Sequence, residues 1–118
     1  MIETAPPALS LDSIEREILG LVTEDRFDLW EVGAVVERLL PETERAGAAR
    51  AARAAALRLL RRGLVEVTDA QGEVVGDPEA ALDDSENWVP ELADESRPKL
   101  VATPAGEALY FGGQPPPP

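Results

Sequence analysis

The stretch RAGAARAARAAALRLLRRGLVEV, residues 45–67, decides how this chain is read. It holds an alanine- and arginine-rich helix that stops at Gly63 and turns directly into a short β-strand. Between Arg45 and Arg62 stand six arginines (Arg45, Arg50, Arg53, Arg58, Arg61 and Arg62) and no acid, a local charge of +6 in a chain of net charge −12. The remaining residues therefore carry −18. Clustered cations bind phosphate and release counterions where scattered ones do not, so the helix raises the expectation of a nucleic-acid contact.

At 100° per residue the apolar face of this helix is Ala49, Ala52, Ala56, Leu57 and Leu60. Arg58, Arg61 and Arg62 project away from that face, Arg50 sits at its margin and Arg53 lies close to it. Thr43 is the candidate N-cap. Gly47 weakens the first turns by ~1 kcal/mol relative to alanine, so a start nearer Ala48 is the alternative. After Gly63, Leu64 to Thr68 alternates as a strand, with Leu64 or Val65 facing the core.

Upstream, residues 1–9 read as a tail, with Pro6 and Pro7 opposing any regular element. Ser10 is the expected N-cap of a first helix, with Leu9 and Ile14 as a hydrophobic staple and Asp12 and Glu15 in the dipole-favoured first turns. Leu11, Ile14, Ile18, Leu21 and Val22 give it one buried face, and it ends near Asp25. Arg26 to Asp28 reads as an extended link. Asp28 and Glu31 then have capping-box spacing, with Phe27 and Val32 as a second staple. Leu29, Val32, Val36 and Leu39/Leu40 form the inward stripe of helix two, which Pro41 closes.

Downstream, the composition changes abruptly. From Asp69 to Pro98, ten acids face a single Arg97. This acidic insert exceeds an ordinary hairpin loop, and its sequence predicts a strand edge at Glu73 to Val75, a turn at Gly76-Asp77-Pro78, one helical turn at Glu79 to Leu82, and irregular chain through Trp88. Lys99 to Thr103 is a returning strand. Thr103-Pro104 caps and starts a closing helix from which Ala108, Leu109 and Phe111 cover the core. Residues 112–118 form a Gly/Pro-rich tail: either an extended recognition segment or an unstructured end.

Composition limits the chemistry. The 118 residues, 44% of them apolar, fit one domain with a single core. With neither cysteine nor histidine, thiolate and imidazole sites do not exist. There is no phosphate-cradling glycine loop, and the carboxylates lack the spacing of a calcium loop, so no enzyme, metal site or cofactor is expected. Neither a signal-peptide pattern nor a run of ~18 apolar residues is found, so the default reading is a soluble, cytoplasmic protein without a membrane partner.

Three helices, a helix-to-strand junction, a hairpin and a closing helix make the order of a winged helix-turn-helix domain of α+β class, spanning residues 10–111 with the acidic wing insert at 69–98. Ala56-Leu57-Arg58-Leu59-Leu60-Arg61-Arg62-Gly63-Leu64-Val65-Glu66 resembles the recognition-helix-to-strand segment of MarR-like and PadR-like regulators. Leu100-Val101-Ala102-Thr103-Pro104-Ala105-Gly106-Glu107-Ala108-Leu109 resembles their third strand and the turn after it. The opening of helix two, Asp28-Leu29-Trp30-Glu31-Val32, is similar to that of small actinobacterial winged-helix proteins of uncharacterised function. These motifs cover about a fifth of the chain.

The resemblance implies a transcriptional regulator that binds double-stranded DNA. Its third helix would enter the major groove with Arg50, Ala51 and Ala54 nearest the bases and Arg45, Arg53 and Arg58 available to phosphates. Two departures stand against it. The helix lacks Asn, Gln, Ser and Lys for base readout, and the insert brings carboxylates where winged regulators carry basic side chains. The arginines also have a plain structural use, as partners for the surplus acids and for the helix C-terminus.

The alternative is a protein-interaction module whose insert, through Asp83, Asp84 and Trp88, meets a basic partner. Trp88 is expected to pin the insert onto the domain before it serves as an exposed anchor, and Trp30 is expected at the core margin. A further possibility is that the insert lies across the arginine helix and masks it. The oligomeric state stays open, with a homodimer among the alternatives.

Overall fold

The computed structural model describes residues 11–92 and 96–111. Ser10 with its Leu9 staple, the two tails, and Asp94 and Glu95 lie outside them. The first helix, α1 (Ser13–Glu24), is capped by Asp12 and not by the expected Ser10, because Asp12 and Glu15 have the capping-box spacing. The Asp12 carboxylate accepts the Glu15 N–H at 2.8 Å and the Glu15 carboxylate accepts the Asp12 N–H at 2.9 Å. The two acids expected as dipole partners within the first turns are thus the reciprocal cap itself. Ile18, Leu19 and Val22 are buried, with Leu11, Ile14 and Leu21 partly covered around them. Leu19 was not in the expected stripe. It is buried because α1 is packed by several elements, so its covered face is wider than one helical row.

Phe27–Asp28 is a two-residue strand, β1, where only an extended link is expected. It pairs antiparallel with the later strand, Phe27 opposite Leu100 and Asp28 opposite Lys99. Helix α2 (Leu29–Leu39) follows at once. The Glu31 carboxylate accepts the Asp28 N–H at 3.1 Å, while the Asp28 carboxylate takes the Trp30 indole N–H at 3.2 Å and the Lys99 ammonium. Leu29, Val32 and Val36 are fully buried; Leu39 is exposed, and Leu40 turns inward in its place.

Helix α3 spans Arg45–Arg61 with Glu44, not Thr43, at the N-cap. A Cβ on Gly47 would meet the Thr43 methyl at 2.7 Å, so the glycine leaves room for the Thr43 side chain beside the first turn. The helix ends in a Schellman motif: Gly63 N–H bonds the Leu60 carbonyl and Leu64 N–H the Leu59 carbonyl, both at 3.0 Å, with Gly63 at φ +74. Strand β2 (Val65–Thr68) then pairs with β3 (Lys99–Ala102), which is central in the three-stranded antiparallel sheet β1-β3-β2. Leu64 and Val65 are both buried, so the choice between them was not needed.

The insert is folded rather than irregular. Beyond a tight turn at Gly72 (φ +85), the expected Glu73–Val75 strand is reduced to one bridge, Thr68 to Val74. Helix α4 (Pro78–Asp83), capped by Asp77, is followed by 3-10 turns at Ser85–Trp88 and Pro90–Leu92. Leu82 and Trp88 are buried members of the core. The Trp88 indole N–H donates to the Leu82 carbonyl at 2.9 Å, and the Asn87 amide donates to the Ala81 carbonyl at 2.8 Å and accepts from Arg97 at 3.2 Å.

Helix α5 (Pro104–Tyr110) is capped by Thr103, whose hydroxyl accepts the Gly106 N–H at 3.1 Å and donates to the Gly63 carbonyl at 2.6 Å. Tyr110 lies against Gly20 on α1, whereas Phe111, expected over the core, is exposed and meets Tyr110 edge-on. The closing helix is seated by a backbone approach: a Cβ on Gly106 would stand 2.0 Å from the Leu64 carbonyl oxygen. Backbone cannot yield as a side-chain tip can. Gly106→Ala is therefore expected to lower stability by about 3 kcal/mol through forced separation of α5 from the α3–β2 turn. At Gly63, where a Cβ meets nothing within 4 Å, alanine pays only the left-handed backbone conformation, about 1–2 kcal/mol. Urea unfolding followed by circular dichroism ranks the two, and equal midpoints would refute the close-approach argument.

Candidate interface along the arginine helix

The orientation of α3 sets what each arginine meets. Its buried residues are Ala48, Ala52, Ala55, Ala56 and Leu59. At 100° per residue this face is turned by about 80° from the expected one, with Ala49 and Leu60 left at its edge and Leu57 carried round to the side of Arg50 and Arg53. Alanine on all four of the other buried positions lets the helix axis sit close to α1 and α2, and a close-packed interior favours that fit over the larger leucines. Arg50 consequently points about 180° away from the core and Arg53 about 120° away.

Three of the four arginines expected at phosphates or bases have changed standing. Arg58 reaches back to α1, donating from Nε to Glu15 Oε2 and from Nη2 to Asp12 Oδ2, each at 3.1 Å. The Glu15 side chain is only 7% exposed, so this arginine neutralises a nearly buried carboxylate. Arg45 stands between Glu37 at 3.7 Å and Glu91 at 3.6 Å, all three largely solvated. Arg53, expected close to the apolar stripe, stands about 120° from the buried face and is half-buried. Arg61, expected to face away from the core as a partner for acids and for the helix C-terminus, holds Glu79 by two prongs at 3.1 and 3.4 Å. The hydrogen bonds that Arg61 donates to Glu79, and then the Glu79 charge, raise the pKa of the Arg61 guanidinium above its ordinary value. Among the described residues, Arg50 and Arg53 have no carboxylate partner.

Glu79 meets the last residue of α3 and Glu91 meets the first. The insert thus stands beside both ends of the helix, about 24 Å apart, with α4 packed on the second half of α3 and the Ser85–Trp88 turn packed on α2. Two concavities open between helix and insert. One, of about 410 Å³, has Ala46, Ala49, Trp88, Val89 and Pro90 as its apolar surface and Arg45, Arg50 and Arg53 at its edge. The other, of about 580 Å³, carries Arg50, Arg53 and Arg61 opposite Asp77, Glu79 and Asp83. The two share Arg50 and Arg53, which form the ridge between them.

The residues expected at a basic partner separate. Asp83 and Asp84 are exposed, with the Asp84 carboxylate accepting the Glu86 N–H at 3.0 Å, whereas Trp88 is 7% exposed and its N–H is occupied. Trp88 thus pins the insert, and only the edge of its ring reaches a concavity. Trp30 is half-buried, with its indole on Asp28. Among the described residues no three carboxylates gather where they could hold a metal ion. No described helix is long and apolar enough to cross a membrane.

Glu15, Glu79 and Glu91 are the residues that sequence reading missed. Glu15 and Arg58 lie 43 positions apart, and nothing local in either marks the pairing. Removing Arg58 leaves the Glu15 carboxylate with the Asp12 N–H alone. Arg58→Ala should therefore cost roughly 1–3 kcal/mol, and Arg50→Ala no more than about 0.5 kcal/mol, in thermal unfolding; equal losses would show that the Glu15 contact is not structural. Comparison of the chain with known protein families, with characterised proteins and with solved structures returns no match, so the reading of this surface rests on its own geometry.

Proposed function

We propose that this chain is a winged-helix-like protein-interaction module in which α3 and the folded insert together form the contact surface. The element order and the β1-β3-β2 sheet are compatible with a winged-helix layout. The observation that carries the functional reading is the pairing of Arg61 with Glu79 and Arg45 with Glu91 at opposite ends of α3. A bare α-helix, about 10–12 Å across, just fills a DNA major groove about 12 Å wide. With α4 packed on its second half and the Pro90–Leu92 turn beside its start, the combined element is too wide to enter.

Electrostatics points the same way. Arg58 and Arg61 are engaged within the molecule, and Asp77, Glu79 and Asp83 stand beside the ridge that would face phosphate. Arg50 and Arg53, the two without a carboxylate partner among the described residues, with the weakly paired Arg45 added, would neutralise about two or three phosphates, giving a logarithmic salt slope of only about −2 to −3. On a chain of net charge −12 such an attraction is small beside the general repulsion.

A DNA-binding regulator is the second reading, favoured by the outward aim of Arg50 and by the absence of a carboxylate partner for Arg50 and Arg53 among the described residues. It requires the insert to leave the flank of α3. Deleting the insert would also remove Leu82 and Trp88 from the core, so neutralising it is the cleaner test. With fluorescent duplex DNA at about 50 mM salt, both the intact chain and the Asp77→Asn, Glu79→Gln, Asp83→Asn triple variant are expected to show no saturable binding below roughly 100 µM, the weak end of ordinary non-specific affinity. Binding by the intact chain would overturn the module reading, and binding by the triple variant alone would assign the insert a masking role.

A further inference from the structure

We infer that the 410 Å³ concavity between the first half of α3 and the second half of the insert is a docking groove for an acidic, apolar-containing peptide segment of a protein partner. The inference rests on the interaction-module reading and reverses the partner charge expected from the insert. Its surface is apolar where a ligand would lie, with exposed Ala46 and half-buried Ala49, Val89 and Pro90 around the edge of the Trp88 ring. Its edge is cationic. Arg45, Arg50 and Arg53 succeed one another over about 12 Å of helix rise, the span of about four residues of extended chain.

Charge complementarity chooses the occupant. On a strongly acidic molecule this edge is a local reversal of sign, and Arg50 and Arg53 carry no internal carboxylate among the described residues. Arg45 is shared by Glu37 and Glu91 at 3.6 Å or more, exposed contacts that a ligand carboxylate can replace at little cost. A basic segment would meet three guanidinium groups here. The adjoining concavity differs because Asp77, Glu79 and Asp83 face its arginines, and an anionic ligand is repelled there. The apolar surface favours a peptide over nucleic acid: apart from the arginines the lining has one polar side chain, Ser85, while Ala46, Ala49, Val89 and Pro90 cover leucine or phenylalanine side chains well. Trp88 is held by its bond to the Leu82 carbonyl, so the groove is preformed and binding needs little ordering of the protein.

The test is selection of a displayed library of random twelve-residue peptides on the full chain, followed by anisotropy titration of the selected peptides. Sequences combining Asp or Glu with Leu, Phe or Trp are the expected outcome. Their affinity should fall by at least roughly tenfold in the Arg50→Glu, Arg53→Glu variant, because two rim contacts become repulsive. Ala49→Trp, which keeps every charge and fills the groove, should cause a similar loss. Arg16→Glu with Arg38→Glu makes the same change in net charge on exposed arginines outside the groove and should alter affinity by less than about twofold. The groove is overturned if nothing is enriched, if the enriched peptides are basic, or if either groove variant binds as the parent does. Duplex binding by the intact chain in the parallel titration overturns the module reading itself, so the two failures are distinguishable.

Discussion

The packing of the alanine face of α3 is the constraint on which the rest of the molecule depends. Ala48, Ala52, Ala55 and Ala56 bring the helix close to α1 and α2, and Leu59 fills the end of the same face. Once that face is inward, the rotation of the helix is settled and every arginine has a fixed direction. Arg58 falls beside α1 and neutralises Glu15, Arg61 falls beside the insert and meets Glu79, and Arg50 is left pointing outward. A helix with a leucine at Ala52 or Ala55 would stand farther off, and the Arg58 reach to Glu15 would lengthen with it.

The acidic insert completes the domain instead of decorating it. Leu82 and Trp88 add apolar area to the core, about 1.5–3 kcal/mol of hydrophobic stabilisation for a buried leucine and more for a tryptophan. Its ion pairs with Arg45 and Arg61 are solvated and weak by comparison. Burial therefore holds the insert in place, and the exposed ion pairs add little to it. This division has a functional consequence, because a surface whose position depends on apolar anchoring can exchange its exposed ion pairs with a partner without unfolding.

The two turns that frame the sheet show the same economy of contact. Thr103 bonds both Gly63 and Gly106, and the Leu64 carbonyl accepts the Thr103 N–H at 3.0 Å while Gly106 passes over it. The end of α3, the start of β2, the end of β3 and the start of α5 are thus joined at one point. Few side chains are involved, which is why a single methyl group at position 106 has so much leverage.

Local chemistry was legible from residues alone. Gly63 as the end of α3, Asp28 and Glu31 at the start of α2, Thr103 and Pro104 at the start of α5, and Trp88 as the pin of the insert are all decided within a few positions of chain, where caps, left-handed glycine and proline act. The burial of Leu19, the joining of Phe27–Asp28 to the sheet, the turn of α3 by about one residue and the Arg58–Glu15 contact were not legible. Each depends on which distant surface arrives at a given face, and in an alanine-rich helix the periodic pattern hardly distinguishes one inward row from the next. From residues alone come the start of α2, the start of α5, the glycine stop of α3 and the six positive charges of one helix. Only the tertiary structure decided which of those charges are answered within the molecule and which face outward, because Coulomb attraction and packing act over distances in space that chain order does not record.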